Sequence, residues 1–293
     1  IEKAVYAAAN GRIDTAVAAL RDVAGRTFDP EADSLLEEML LEHGRYGDLI
    51  ELLQARTERP EYESERAETA FRIAGVFRTH MKMASEAARF VRQAIKESQG
   101  RADIVAFAVE MVLDRSISDR RSFAPELAET LIDTLEAGQG DSGTVADLLR
   151  LRAEFCDDSI QRVAILNRLA ALQDSTGDHV GRFDTLSQAL GNTPGDAELA
   201  EAFVAAAVKA GAAVRAVERL GRFASSASGS DRVRLLMAAA ALAKDHAGDE
   251  PGAVLIYRGL LNEFPDDVQV IEALEQLLQA MGSDAERDRK SVG

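Results

Sequence analysis

The chain has 293 residues, a formal net charge of −16 and 5% aromatic residues, with no tryptophan. This acidic balance argues against a nucleic-acid partner, whose binding needs a surface rich in lysine and arginine. No apolar run reaches the roughly 18 residues of a membrane-spanning helix, and the single cysteine, Cys156, excludes an internal disulfide. The chain opens at Ile1 without a methionine, so a targeting segment could precede it, and the cytoplasm is the expected compartment.

A glycine recurs at a nearly constant interval along the chain, at Gly11, Gly44, Gly177, Gly211 and Gly248. The intervals are 33 residues from 11 to 44, 34 from 177 to 211 and 37 from 211 to 248. The 133 residues between the second and third glycines are close to four further periods. A period in the thirties predicts stacked helical hairpins. We therefore expect an all-α fold, a right-handed superhelix of about seven to eight antiparallel hairpins.

The apolar periodicity predicts sixteen helices and no strands. Their beginnings carry capping signals, with Asp29 before Pro30 and acidic residues at Asp196 and Asp267. In chain order the predicted helices cover 1–9, 13–25, 31–43, 46–57, 62–80, 83–97, 101–114, 124–137, 144–156, 159–176, 180–191, 196–210, 213–226, 231–247, 251–264 and 267–281.

The regular spacing of the turn glycines is interrupted in the middle of the chain. From Lys82, where a turn glycine would fall, to Gly143 there are 61 residues, seven short of two 34-residue periods. We expect one shortened or re-paired unit there, with either a change of superhelix curvature or a break between two sub-arrays. The predicted organisation is N-terminal hairpins over 1–97, irregular connecting helices over 98–143, C-terminal hairpins over 144–281 and a frayed tail over 282–293.

Several positions resemble the tetratricopeptide repeat, in which small residues lie where the two helices of a hairpin cross and larger ones fill the space to the next hairpin. The chain is also similar in style to the long repeat proteins of some high-GC bacteria, and we expect it to be a piece of a longer array. No unit carries the tryptophan of the repeat pattern, so related helical-hairpin repeats stay open. The matching residues are Phe71, Ala74, Gly75, Ala87, Val91, Ala94, Leu166, Leu169, Ala170, Gly177, Leu186, Ala189, Pro194, Ala241, Gly248, Ala253, Tyr257 and Pro265.

The resemblance implies a concave groove lined by the first helix of each hairpin. Spacings of four then three residues place each candidate triplet on one helical face. The apolar run 235–243 is either plain packing or an exposed groove floor for an apolar peptide. The resemblance does not extend to a carboxylate clamp, because Asn167 has no lysine or asparagine neighbours at matching positions. The candidate groove residues are Ser34, Glu38, Leu41, Arg72, Val76, Thr79, Asn167, Ala171, Asp174, Glu201, Ala205, Val208, Ala238, Leu242 and Asp245.

No pattern in the sequence indicates catalysis, a cofactor or a metal. The string Gly138–Gly143 has glycines in a G-x-G-x-x-G order, but it follows a predicted helix where a dinucleotide site needs a strand. The four histidines are far apart and close to predicted turns, where they would meet the last carbonyls of helices. Cys156 has no nearby histidine and is expected to pack rather than react.

These observations favour a non-enzymatic scaffold that binds a protein or peptide on a concave, acidic surface. Residues 101–200 carry 18 acidic and 9 basic side chains, a net charge of −9, so a basic partner would be attracted to the middle of the chain. The alternative is a structural or assembly module that self-associates or supports a larger multidomain protein. An enzymatic role for this segment is disfavoured.

Overall fold

The computed structural model describes residues 1–26, 29–138 and 140–291, without the side chains of 24–26 and 283–291. It divides into two compact units, Ile1–Leu151 and Arg152–Gly293. Over the described residues the chain forms sixteen α-helices and no strands, so the predicted all-α class is confirmed.

The helices pack in chain order as antiparallel hairpins. Seven hairpins are present in the described chain, four from α1 to α8 and three from α10 to α15. Helix α9 spans the boundary between the two units. The first eight helices are α1 (Glu2–Ala9), α2 (Ile13–Arg26), α3 (Pro30–Glu42), α4 (Tyr46–Thr57), α5 (Arg66–Val76), α6 (Ala84–Glu97), α7 (Ala102–Leu113) and α8 (Ala124–Ala137). The others are α9 (Ser142–Phe155), α10 (Ser159–Thr176), α11 (His179–Asn192), α12 (Ala197–Lys209), α13 (Ala213–Ser226), α14 (Gly229–His246), α15 (Glu250–Glu263) and α16 (Val268–Ser291).

Most of the hairpin turns are closed by a residue in the left-handed backbone region. Gly177, at φ 75°, ends α10, and its N–H and that of Asp178 donate to the carbonyls of Asp174 and Gln173. The third hairpin makes the same turn with Lys82, at φ 59° and ψ 30°. Glycine is favoured in this conformation because a Cβ is strained there. Lys82 therefore occupies the turn position at which the sequence pattern predicts a glycine.

Most of the alanines and large aliphatic residues that carry the repeat resemblance lie in the core, whereas the turn residues Gly177, Gly248 and Pro265 are exposed. Ala74, Leu169, Ala189 and Ala253 are all buried, as small and apolar residues at helix crossings should be. The resemblance predicts Ala241 at a helix crossing on α14, but the buried residue there is its neighbour Ala240. Ala241 itself is exposed, because the inward face of that helix is shifted by one residue and carries Ala239, Ala240 and Ala243.

The third hairpin also departs from the prediction of one helix over 62–80. The structure has a 3₁₀ segment at Pro60–Glu65, then α5, then a π-helical turn at Phe77–Met81. Tyr62 breaks the first turn with φ −104° and ψ 15°, and its ring is buried. Burial of that ring, with its hydroxyl bonded to Asp33 of α3, outweighs the helical pattern of the segment.

A buried polar cluster joins α3, α4 and this 3₁₀ segment. The hydroxyl of Tyr62 donates to a carboxylate oxygen of Asp33, and Arg56 Nη1 donates to Glu37 Oε2 at 3.1 Å. Arg56 Nη2 also donates to the Asp33 carbonyl at 3.4 Å, and its guanidinium lies 5.3 Å from the centre of the Tyr62 ring. Arg72 on α5 forms an ion pair with the other Glu37 oxygen. Buried charges need such partners, since an unpaired one would be strongly destabilising.

Ion pairs on the surface join equivalent helices of successive hairpins and therefore follow the repeat. Their partners are separated in sequence by 27 to 35 residues, which is close to one period. Each exposed pair contributes only about 0.2–1 kcal/mol, so they orient neighbouring hairpins more than they stabilise them. The pairs include Arg21–Asp48 at 2.6 Å, Arg78–Glu110 at 2.7 Å, Arg101–Glu68 at 2.7 Å, Lys209–Asp174 at 3.4 Å and Arg219–Asp184 at 2.8 Å.

The middle of the chain contains a hairpin with a long connection. Helices α7 and α8 are joined by residues 114–123, which include a short 3₁₀ turn at Arg120–Ser122. The boundary between the two units lies after Leu151, inside α9. Helix α16 continues past Gly282 to Ser291, and the frayed tail expected over 282–293 stays a prediction because the side chains of 283–293 lie outside the described residues.

Candidate functional site

The clearest exposed surface at the predicted groove positions lies on α10 and α12. Asn167 and Ala171 are exposed on α10, and Ala205 and Val208 are exposed on α12. Val208 keeps 39% of its surface accessible and lies on the same face as Ala205. Glu201 completes the α12 stripe and is also exposed.

An ion pair joins these two stripes at one end. Lys209 Nζ, at the end of α12, lies 3.4 Å from Asp174 Oδ1 on α10. Asp174 also accepts from Arg182 Nη1 at 2.6 Å. Although burial opposes it, these two cations leave the pKa of Asp174 below its ordinary value. The carboxylate is therefore ionised at neutral pH but is already neutralised by its neighbours.

Helix α14 continues the surface only in part. Asp245 is exposed, Ala238 is half-buried and Leu242 is buried. The apolar run 235–243 therefore belongs mainly to the core, where Ala239, Ala240 and Ala243 also pack. This result favours plain packing over a groove floor for that run.

In the N-terminal unit, most of the predicted groove positions are exposed and one is buried. Ser34, Glu38 and Leu41 are exposed on α3, and the Ser34 hydroxyl donates to the Pro30 carbonyl at 2.8 Å. On the third hairpin Arg72 and Thr79 are exposed, and Thr79 lies in the π-helical turn rather than in α5.

Val76 is the exception on that helix, because it is buried and contributes to packing, as Leu242 does on α14. Gly75 is half-buried beside it. The predicted stripe of α5 is therefore interrupted at Val76. Placement of the remaining groove residues as a partner-binding surface stays a prediction.

Sequence reasoning missed a group of arginines packed on aromatic rings. Phe71 and Phe107 meet edge-to-face with ring centres 5.2 Å apart. Arg78 lies 4.7 Å from the Phe107 ring while it pairs with Glu110. Arg101 lies 5.9 Å from the Phe71 ring while it pairs with Glu68. Opposite charges one period apart in the sequence were the available signal.

A second such group lies on the second helices α11 and α13. Arg215 and Arg219 stand 5.0 Å and 4.6 Å from the Phe183 ring, and both approach Asp184. The Phe183 ring is stacked on Phe203. Arginine is held here by a ring and a carboxylate together, which fixes its orientation.

The residues weighed for chemistry are dispersed. The His43 ring nitrogen meets the Met39 carbonyl at 2.9 Å, as expected near a helix end, whereas His80 stacks on Tyr46. Cys156 is half-buried and its thiol donates to the Asp158 carbonyl at 3.3 Å. The string 138–143 follows α8 and leads into α9, so it has the interhelical setting that the sequence predicts, although Gln139 lies outside the described residues.

Two further observations concern the described residues as a whole. None of their helices combines the length and apolar character that crossing a bilayer needs. No group of three or more His, Cys, Asp or Glu side chains gathers among them in a way that could hold a metal ion.

Comparisons with known proteins find the repeat class among solved structures. No family model matches the chain, and no curated protein matches it. A tetratricopeptide repeat protein from Parabacteroides merdae is 12% identical with a TM-score of 0.30, covering 85% of this chain and 98% of that one. The tetratricopeptide domain of P58(IPK) is 13% identical with a TM-score of 0.26, covering 97% of both chains.

An assembly chaperone of RpL4 is 15% identical with a TM-score of 0.26, covering all of this chain and 98% of that one. Two of these three proteins are described as tetratricopeptide repeat proteins. These TM-scores and identities give no residue-level correspondence with any of the three proteins.

Proposed function

We propose that the chain is a non-enzymatic interaction scaffold that binds a protein or peptide on the first-helix surface of its hairpins. The observation that supports this most directly is the pair of exposed stripes on α10 and α12, joined by the Lys209–Asp174 ion pair. They present Ala171, Ala205 and Val208 to solvent on neighbouring first helices. Most other apolar residues of these first helices, such as Leu166, Leu169 and Phe203, are buried, so Ala171, Ala205 and Val208 form an apolar surface that is open to a partner.

The side chains of this surface fit an extended or helical peptide. Alanines allow a partner backbone to come close, and Val208 offers apolar contact. Asn167 and Glu201 provide polar groups at the other ends of the stripes. Because Asp174 is neutralised by Arg182 and Lys209, Glu201 would be the main source of the acidic character expected of the groove.

Site-specific photo-crosslinking tests this proposal. A photoreactive amino acid at Ala171 or Ala205 should capture partner proteins in an extract of the source cell. The same group at Leu255, which is 68% exposed on the second helix α15, is the matched control. We expect bands from the two first-helix positions that excess unlabelled protein competes away, and no such bands from position 255.

A charge reversal at Glu201 tests whether this residue contributes to the binding of a basic partner. Glu201→Arg should weaken the capture of a basic partner at position 205, while Glu218→Arg, on an exposed residue of the second helix α13, should leave capture unchanged. Equal capture from position 255, or no competed band at 171 and 205, would reject the first-helix surface as the binding site.

A further inference from the structure

An apolar cleft lies in the irregular middle of the chain, within the N-terminal unit. Its volume is about 570 Å³, and it opens between α7, the end of α8 and the turn that leads into α9. Val105, Ala106 and Val109 form its α7 wall, and Leu135 forms the α8 wall. A cleft of this size is within the range of small-ligand pockets and is large enough for the side chain of a partner residue.

The cleft exists because α7 is apolar on two faces. Ile104, Ala108 and Met111 on one face are fully buried in the core. On the other, Ala106 is exposed and Val109 is only half-buried, where the partial cover comes from the turn after α8. A helix that is apolar on both faces is normally covered on both, so this second face is incompletely covered.

Two glycines shape the walls where the backbone passes close to α8. A Cβ at Gly100 would be 2.5 Å from Thr134 Cγ2, and one at Gly140 would be 2.7 Å from Leu135 Cδ2. Side chains at these two positions would therefore collide with α8. The backbone forms part of the lining, which leaves the apolar side chains of α7 accessible.

The charge around this cleft is negative on balance, because Arg78 pairs with Glu110 and Arg101 pairs with both Glu68 and Asp103, while Asp141 has no cation among its hydrogen-bond partners in the described part of the chain. Of the described residues that line it, Glu110 is the one that carries a charge, and its side chain is 72% exposed beside Arg78. Asp141 follows the lining residue Gly140, and hydrogen bonds from the Thr144 N–H and hydroxyl hold the pKa of its carboxyl below the ordinary value. Asp141 is therefore ionised at neutral pH. A partner with basic side chains beside its apolar one is complementary to this arrangement.

We propose that this cleft receives one large apolar side chain, such as Phe or Leu, from a partner segment that carries Lys or Arg on both sides of it. The proposal rests on the proposed function as an interaction scaffold, and it adds a second contact point and a partner chemistry. The apolar side chain acts as the anchor, since binding energy concentrates in such buried residues. The acidic side chains select the flanking charge.

Fluorescence anisotropy with defined peptides tests it on the intact chain. The probe is a labelled peptide with one Phe between two pairs of Lys in a Gly-Ser background. Two comparison peptides replace the Phe by Ala or the four Lys by Glu. We expect the Phe–Lys peptide to bind at least about tenfold more tightly than either comparison peptide, and its affinity to fall when salt rises from about 50 to about 500 mM.

Protein variants locate the contact. Ala106→Phe fills the cleft and should reduce affinity for the Phe–Lys peptide at least about tenfold. Ala55→Phe, on an exposed alanine of α4 in the same unit, is the matched control and should bind as the unchanged chain does. Glu110→Gln should weaken binding of the Phe–Lys peptide and should not weaken binding of the peptide in which Glu replaces the four Lys. Circular dichroism should show that all three variants keep their helical content.

Several outcomes would overturn the proposal. These are no binding of any peptide, equal binding of the Phe and Ala peptides or of the Lys and Glu peptides, and unchanged binding by Ala106→Phe. A dimer in sedimentation that Ala106→Phe dissociates would show that a second copy of the chain fills the cleft, which also contradicts it. Crosslinks at positions 171 and 205 would persist in each of these cases if the first-helix surface is functional, so the two proposals fail separately.

Discussion

At the residue scale, Tyr62 shows how one hydroxyl can hold a break in a helix. Its ring is buried and its O–H donates to buried Asp33, while Arg56 lies over the ring. The sequence alone suggested a continuous helix over 62–80, because the apolar spacing there is helical. Nothing in that spacing shows that Tyr62 reaches back 29 residues to α3.

Replacing Tyr62 by Phe should destabilise the N-terminal unit by about 1–3 kcal/mol, since the carboxylate of Asp33 loses its donor without gaining water. Urea denaturation followed by circular dichroism measures the change. Tyr6→Phe, at an exposed tyrosine of α1, is the control and should be close to neutral. Equal stability of the Tyr62 variant and the unchanged chain would contradict the role of this hydrogen bond.

The same tyrosine predicts a dependence on alkaline pH. Burial, and then the hydrogen bond to Asp33, raise the pKa of Tyr62 from about 10 to about 12. Because the folded pKa is above the unfolded one, this stabilisation is complete below pH 10 and is lost as pH rises toward 12. The difference in unfolding free energy between the unchanged chain and Tyr62→Phe should therefore shrink across that window. A difference that stays constant from pH 9 to pH 12 would contradict it.

Lys82 carries a second residue-scale prediction, because it occupies the left-handed turn where other hairpins have glycine. Lys82→Gly should stabilise the chain by about 1 kcal/mol, since the Cβ strain disappears. Lys82→Ala keeps the Cβ and should give no such gain. Thermal melting of the three proteins makes the comparison, and a melting temperature of Lys82→Gly at or below that of Lys82→Ala would contradict the explanation.

At the element scale, the helices are the part of the fold that the sequence predicts well. Caps such as Asp196, whose carboxylate accepts from the Leu199 N–H at 3.0 Å, are local signals that a single sequence contains. Faces are harder to predict, because a shift of one residue turns a helix by about 100°. Within the predicted stripes, Val76 is buried although Arg72 and Thr79 are exposed. Leu242 is buried and Ala238 is half-buried although Asp245 is exposed.

The crossing of α14 and α15 offers a test at this scale. Ala253 is fully buried in a cluster with Ala240, Tyr257 and Leu260. Ala253→Leu should cost about 1–3 kcal/mol by overpacking. Ala241→Leu, on the exposed side of α14, should stay within about 0.5 kcal/mol of the unchanged chain. Chemical denaturation that finds the two variants equally stable would contradict the assignment of the crossing.

At the scale of the whole molecule, the two units are expected to respond separately to damage, because hairpins in a repeat array contact their neighbours. Phe203 is fully buried between Phe183 and Phe223, and Phe203→Ala should cost about 3–5 kcal/mol. In hydrogen exchange, protection should fall in α11 to α13 while α3 to α6 keep theirs.

The reciprocal variant is Phe77→Ala, which removes the ring stacked on Phe90 in the N-terminal unit. It should lower protection in α5 and α6 and leave α12 and α13 unchanged. Uniform loss of protection along the chain in both variants would indicate a single cooperative unit instead.

The candidate surfaces were predictable only in part, for a reason that applies to the whole chain. The period indicates which helices come first in each hairpin, and so it found the exposed stripes on α10 and α12. The cleft beside α7 depends on Gly100 and Gly140 approaching α8, which is a contact between helices that no local pattern specifies. The irregular interval from Lys82 to Gly143 was the one sequence signal that pointed to this region.

The ion pairs between hairpins have a consequence for the duplication or movement of hairpins within the chain. The acidic partner comes first at Glu68–Arg101 and Asp184–Arg219, whereas the basic partner comes first at Arg21–Asp48 and Arg78–Glu110. A hairpin copied or moved to another junction would therefore place like charges opposite each other or leave a charge without its partner. The order of charge differs from pair to pair, so a hairpin moved to another junction would lose its surface pairs even where every core residue still fits, at a cost of about 0.2–1 kcal/mol for each exposed pair.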